Sequence, residues 1–164
     1  VQVYAFEPSF LNFPQLCKNL ALNHCEDSVT PFQVALSDET GIDTFNYHSL
    51  VIGGAVHTLG KAIDDQGDPF NPASRQLVLS FRGDDFTKQF NIPQPNHLKI
   101  DVDGTEFSVL KGFDDSLNDS GVRTVMLELN SGRGQKEQII EYLRDKGFKI
   151  RSTYGANHLF ARPG

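Results

Sequence analysis

The spacing of apolar residues changes several times along the chain, and each change marks an element. The opening "VQVYAFEPS" carries Val1, Val3, Ala5 and Phe6 with few polar positions between them. That predicts a strand covered on both faces, as in a parallel sheet. In "NFPQLCKNLALNH", Phe13, Leu16, Cys17, Leu20 and Ala21 recur at i, i+3, i+4, i+7 and i+8, which is one face of a helix. Asn12 stands where an N-cap belongs, and Pro14 falls in the first turn, where its missing N–H costs nothing. "PFQVALSD" predicts a second strand, ended by the polar "SDETG".

From about 42 to 82 the pattern is different. "DTFNYHS", "GGAVHTL" and "RQLVLSF" predict short β segments, with a Gly/Asp/Pro-rich loop "DDQGDPFNPAS" between the last two. A strand over 98–102 then leads into a helix from Thr105 carrying Phe107, Leu110 and Leu117. "RTVMLELN" predicts a strand and "QKEQIIEYLRDKG" a helix, with Gly147 as its stop and Phe148 as the hydrophobic follower. "FKIRSTY" and "NHLFARP" predict a hairpin across "GAN". The order βα, β, β excursion, βα, βα, ββ predicts one α/β domain over 1–164 with a doubly wound, mostly parallel sheet and an antiparallel C-terminal hairpin.

The 164 residues suffice for one core. Fifteen Lys and Arg against 21 Asp and Glu give a net charge of −6, which argues against a nucleic-acid partner. No apolar run approaches a membrane span. Cys17 and Cys25, eight positions apart on or just beyond one helix, are separated by about 12 Å of rise. A disulfide needs Cα atoms within about 7 Å. They read as free thiols of a reducing cytoplasm, and without His or Cys neighbours they do not form a metal site.

In open α/β sheets, ligands bind beyond the carboxyl ends of the strands. The acids placed there are Glu7, Asp38, Asp101 and Glu128. A carboxylate at Glu7 can accept both hydroxyls of a ribose; the alternative is a solvated or helix-capping glutamate. "DGTE" sets Asp103 three residues before Glu106, the spacing of a capping box, so capping is the expected role of that pair. Asp101 lies inside the strand and needs a partner. Lys99, on the same face, would supply a purely structural one. "DVDGT" also matches the first motif of haloacid-dehalogenase-type phosphatases. The match covers five residues, no acidic pair follows for Mg²⁺, and the motif falls far from the start of the chain.

A longer match is more specific. "AFEPSFLNFPQLCKNLALN", "ALSDETG", "DDF", "LKIDVDGTEFSVLKGF" and "VMLELN" follow one another in an order and spacing that resemble the FkbM family of methyltransferases, from Val3 to about Phe148. Asp103 stands where the family commonly has glutamate, and Thr105 where alanine is common. The resemblance implies a class I, Rossmann-like sheet and S-adenosylmethionine as cofactor. It implies that Glu7, with Pro8 beside it, holds the ribose diol. Ala35, Leu36 and Ser37 would lie against the adenine, and Asp101 would face the methionyl end. The family's first strand and its glycine-rich loop, of the type D-x-G-A-N-x-G, stand ahead of the "AFEP" strand and in mid-sheet. The chain begins at Val1, so that strand and the helix after it are expected to lie outside it. The strands of Glu7 and Asp101 should then run parallel, and the gap between them would be closed directly, closed by a partner chain, or left as an edge through which copies associate.

The implied reaction is O-methylation of a small-molecule or sugar hydroxyl. Asp101 and Glu128 are the candidate general bases, with His48 and His57 behind them. The β excursion and the "NSGRGQ" loop would line the acceptor pocket. The alternatives are the phosphatase reading and a non-catalytic domain of the same fold.

Overall fold

The computed structural model describes residues 1–64, 67–129 and 135–163; most of the "NSGRGQ" loop lies outside them. Among the described residues the strands form three hydrogen-bonded sheets, not the single sheet expected. In the first, β1 (Val3–Phe6) runs parallel to β2 (Val29–Phe32), with helix α1 (Asn12–Leu22) between them in sequence. The second has the order β3-β6-β4-β5 and is built from β3 (Ala35–Leu36), β4 (Gly41–Tyr47), β5 (Thr58–Leu59) and β6 (Ser74–Phe81). The third has the order β7-β8-β10-β9, from β7 (His97–Ile100), β8 (Thr124–Glu128), β9 (Lys149–Tyr154) and β10 (Asn157–Ala161). Helices α2 (Gly83–Gln89), α3 (Glu106–Gly112), α4 (Asp114–Asn118) and α5 (Gln135–Asp145) complete the chain.

The expectation of a mostly parallel sheet fails for two reasons. β4 folds back antiparallel on β6, and β10 inserts antiparallel between β8 and β9. Only β1 with β2, β3 with β6 and β7 with β8 are parallel among the described residues. Nor do β1 and β7 pair directly, so each keeps one edge without a strand partner among those residues. "PFQVALSD" is likewise two short strands. The chain leaves β1 after Phe32 and turns to β6, where the Ser37 N–H donates to the Phe81 carbonyl at 2.9 Å.

Local backbone explains two further differences. Most of "GGAVHTL" is loop because Gly53 and Val56 adopt φ of 76° and 65°, which no strand tolerates. The helix expected from Thr105 breaks into α3 and α4 at Phe113. Gly112 there lets α3 approach β3, since a Cβ at that position would stand 2.1 Å from the Ser37 carbonyl oxygen. The end of α5 follows expectation. Gly147 takes φ 88°, and the Phe148 N–H reaches back to the Leu143 carbonyl at 2.9 Å.

The main core lies on the third sheet, where Ile100, Val125, Leu127 and Phe160 meet Leu110, Leu117, Ile139 and Leu143 of the helices. A smaller core of Ala35, Phe45, Tyr47 and Val78 fills the second sheet. β3 joins the two, with Ala35 in the small core and Leu36 against the large one.

Candidate functional site

The site is built where parallel strands end. Ile100 of β7 is in register with Leu127 of β8, so Asp101, just past β7, and Glu128, the last residue of β8, stand side by side at the carboxyl ends of the two strands. Their strands are parallel, which sets the two carboxylates about 5 Å apart at the backbone. Asp101 is exposed and pairs with Lys99, the structural partner that the sequence offered. An exposed pair of this kind contributes about 0–1 kcal/mol and leaves the carboxylate reachable. Glu128 is half-buried, opposite Asn157 of β10.

Glu7 follows β1, its N–H held by the Phe32 carbonyl at 3.0 Å. Its Oε1 accepts the Ser9 N–H at 2.8 Å across Pro8. Burial pushes the Glu7 carboxyl above its ordinary value, and the Ser9 N–H offsets this only in part. Ser9 itself, fully buried, starts α1: its Oγ accepts the N–H groups of Leu11 and Asn12 at 3.1 and 3.2 Å. Ser9 therefore caps the helix, not Asn12. The Asn12 Oδ1 instead accepts the Gly53 N–H at 2.9 Å.

Ala35 and Leu36 are β3, and Ser37 follows it. Ser37 Oγ donates to Asp38 Oδ1 at 3.2 Å, and Lys111 of α3 pairs with the other oxygen. Burial works to raise the Asp38 carboxyl, but the Lys111 ammonium and these hydrogen bonds outweigh it and hold it below its usual value. Pro8 meets the second sheet, its carbonyl accepting the Gln76 Nε2 at 3.5 Å.

Asp103 does not cap α3. Its Oδ2 accepts the N–H groups of Val56 and His57 at 2.6 and 3.2 Å. The N-cap position, Thr105, makes no side-chain cap bond, and the Glu106 carboxylate takes the Gly104 N–H at 3.0 Å. The capping-box expectation fails because the carboxylate finds two donors in a distant loop. Nothing local in the sequence signals that role. A tether to a segment 46 and 47 residues earlier leaves no periodic trace.

Of the two histidines, His48 is exposed and lies against Phe70, ring centroids 5.2 Å apart. His57 is buried against Tyr47 and Phe45 at 5.1 and 6.0 Å. Its Nδ1 accepts the His48 backbone N–H at 3.2 Å, which leaves the ring proton on Nε2. That atom is buried with no hydrogen-bond partner among the described residues. Burial, followed by the neighbouring His48, lowers the His57 pKa against the pull of Asp103. The imidazole is neutral, and its Nε2 is a donor, not a ready base.

Acids at the carboxyl ends of parallel strands and a loop hydrogen-bonded to both Asn12 and Asp103 belong to an α/β domain, the class of fold whose ligands bind beyond the carboxyl ends of the strands. The chain belongs to the FkbM methyltransferase family: residues 1–150 match the family model described as "Methyltransferase FkbM domain". It is 30% identical to methyltransferase sdnD of Sordaria araneosa, over 91% of this chain and 65% of that protein. It is 27% identical to the hexuronic acid methyltransferase AglP of Haloferax volcanii, over 82% of this chain and 50% of that protein. The crystal structure of a methyltransferase FkbM from Methylobacillus flagellatus KT superposes with a TM-score of 0.64. That match is 14% identical and covers 98% of this chain and 36% of that one. The chain thus spans about half to two thirds of the curated relatives' lengths. Family membership displaces the phosphatase reading of "DVDGT".

Proposed function

We propose that this domain serves an S-adenosylmethionine-dependent O-methyltransferase acting on a small-molecule or sugar hydroxyl. The observation that carries the reading is the side-by-side placement of Asp101 and Glu128 at the carboxyl ends of paired strands in a chain of a methyltransferase family. The similarity to AglP, a hexuronic acid methyltransferase, supports a sugar-like acceptor.

The residues present suit the cofactor. Glu7 uses one oxygen on the Ser9 N–H, and its raised pKa marks a carboxylate short of donors. Two ribose hydroxyls would supply them. Leu36, half-buried at the strand end, offers an apolar surface for a purine, flanked by Ala35 and Ser37. S-adenosylmethionine, when bound, supplies an electrophilic methyl carbon on a sulfonium. The chain's part is to align an oxygen nucleophile with it and to take that oxygen's proton. Asp101 or Glu128 accepts the proton, the exposed Lys99–Asp101 pair opening at small cost.

The test is calorimetric titration of the natural full-length protein with S-adenosylmethionine, together with transfer of a radiolabelled methyl group to a panel of hydroxylated sugars. Glu7→Ala should weaken cofactor binding by about 1.5–3 kcal/mol, the value of a hydrogen bond to a charged acceptor. Glu128→Gln should spare binding and depress transfer. No cofactor binding by the wild type would leave a non-catalytic member of the family.

A further inference from the structure

We propose that the cleft between the end of α5 and the edge strand β9 binds an aliphatic carboxylate, at a place separate from the residues assigned to methyl transfer.

The cleft follows from where α5 stops. Ile150 of β9 is in register with Phe160 of β10, so the two side chains share one face of the third sheet. Phe160 is 1% exposed and Ile150 46%. Ile139 and Leu143 of α5 pack into the same core as Phe160, so the helix covers that face over β10 and falls short of β9. The space left is about 280 Å³, lined by Ile140 and Arg144 of α5, Phe148, Lys149 and Ile150 where the chain enters β9, and Phe160. Four of these six residues are apolar, and the other two are cations.

Those cations are unspent. At the same end of α5, Arg162 donates to four carbonyls and Lys146 pairs with Asp114. Arg144 and Lys149 are exposed and make no hydrogen bond or ion pair among the described residues. Arg144 complements the dipole at the end of its helix, and Lys149 guards a sheet edge. Neither role calls for an apolar cavity that both residues line.

The chemistry of the lining selects the occupant. Two isoleucines and two phenylalanine rings take a carbon body, and two unpaired cations take an anion in a chain whose net charge is −6. The planar guanidinium fork suits a carboxylate in particular. The volume admits roughly nine groups of about 30 Å³, the share of one water molecule and close to that of a methylene. A chain of about eight carbons fits it. A second copy does not, since two β9 edges side by side would oppose Lys149 and Arg151 to the same charges.

The cleft is also set apart from the acids. Phe160 stands opposite Val125, three residues before Glu128 on β8, which is about 10 Å along the strand. Binding there leaves the carboxyl ends of β7 and β8 open, and it does not rest on the methyl-transfer reading.

The experiment titrates the natural full-length protein, labelled at isoleucine methyls, with sodium octanoate and in parallel with octan-1-ol and octylammonium. Saturable shifts at Ile140 and Ile150, with octanol about tenfold weaker and octylammonium weaker still, support the site. Replacing both cations, Arg144→Gln with Lys149→Gln, should weaken octanoate about tenfold and leave octanol unchanged, the loss expected when an anion gives up charged donors. Both side chains are exposed, so the variant should fold as the wild type does. Shifts centred on the exposed Ile42, equal binding of octanoate and octanol, or an unchanged double variant would each overturn the proposal. So would competition between octanoate and S-adenosylmethionine, which would put the carboxylate in the cofactor's place. A peptide of alternating valine and glutamate that protects the β9 amides, where octanoate fails to bind, would make the edge a protein-docking strand instead.

Discussion

The third sheet with its helices and the β1–α1–β2 unit are both amphipathic αβ constructions, yet they bury very different things. In the third sheet and its helices, Leu110, Leu117, Val125 and Leu143 are wholly removed from water. In α1 no residue is buried, and Val3 and Leu22 are exposed. The β1–β2 unit leans on the remainder through rings: Phe6 and Phe32 meet the edge of Phe86 at 5.1 and 4.9 Å. Stability therefore resides in the half that carries Asp101 and Glu128. The half that carries Glu7 is held by a few aromatic contacts, by hydrogen bonds of Pro8 and Phe10 to Gln76 and Tyr47 of the second sheet, and by the 49–57 loop. A looser unit beside a rigid one suits the proposed site, which must admit and release a ligand.

The largest expected effect tests that contrast directly. Leu143→Ala, at a fully buried position, should cost about 3–5 kcal/mol by removing methyls and leaving a cavity. Leu16→Ala, half-buried on α1, should cost well under half of that, because its surroundings already include water. Urea unfolding of both variants decides it. Equal losses would mean that the two halves are one core.

A smaller loss is expected from Arg162→Ala. This guanidinium donates to the carbonyls of Val122, Lys146, Leu117 and Asp119 at 3.0, 2.8, 2.6 and 3.2 Å, while lying 4.4 Å over Phe148. It gathers the ends of α4 and α5 onto the third sheet. Its removal should cost about 2–3 kcal/mol, since charged donors to carbonyls are strong and water replaces them only in part. Asp84→Ala should cost about 1–2 kcal/mol, the value of a helix cap. The buried Asp84 carboxylate accepts the N–H groups of Asp115 and Ser116 at 2.8 and 3.1 Å, fixing the start of α4. Melting temperatures of the two variants should fall in that order, and a loss at Asp84 exceeding that at Arg162 would move the keystone to α2.

These long-range contacts also mark the limit of what the sequence makes legible. Helix α5, its Gly147 stop and the β9–β10 hairpin were legible because every interaction that defines them lies within a few residues. The acids at Glu7, Asp101 and Glu128 were legible because strand ends can be located from period alone. The partition into three sheets was not, because β3 chooses β6 over β1 through contacts 45 residues apart. Helices α2 and α4 were too short to show a periodic face. Their signal was the acidic first turns Asp84–Asp85 and Asp114–Asp115, which complement the helix dipole. Asp103 is not legible locally for the same reason: its spacing suits a cap, while its partners Val56 and His57 lie far back in the chain.

The smallest effect, and the most specific, concerns protons at Glu7. Its pKa is raised above 4.5 by burial, so between 4.5 and that raised value the native chain keeps a proton that the unfolded chain has lost. The Glu7 contribution to stability therefore falls as pH rises through that window. His57 acts in the opposite sense. Its lowered pKa keeps the native ring neutral while the unfolded one charges, so stability falls as pH drops below 6.5. Asp38 and Asp114, both lowered, lose their contribution only as pH falls below 3.8. Raw stability curves mix these slopes, and the difference between wild type and Glu7→Gln isolates the first. In the proposed role, ribose hydroxyls would donate to the ionised carboxylate, so binding should expel the proton and affinity should climb as pH rises through the same window, then level off. Calorimetry in two buffers of different ionisation enthalpy reads that proton release. Proton uptake on binding, or an affinity that falls with pH in the wild type, would remove Glu7 from the ribose and leave it a turn residue of the looser unit.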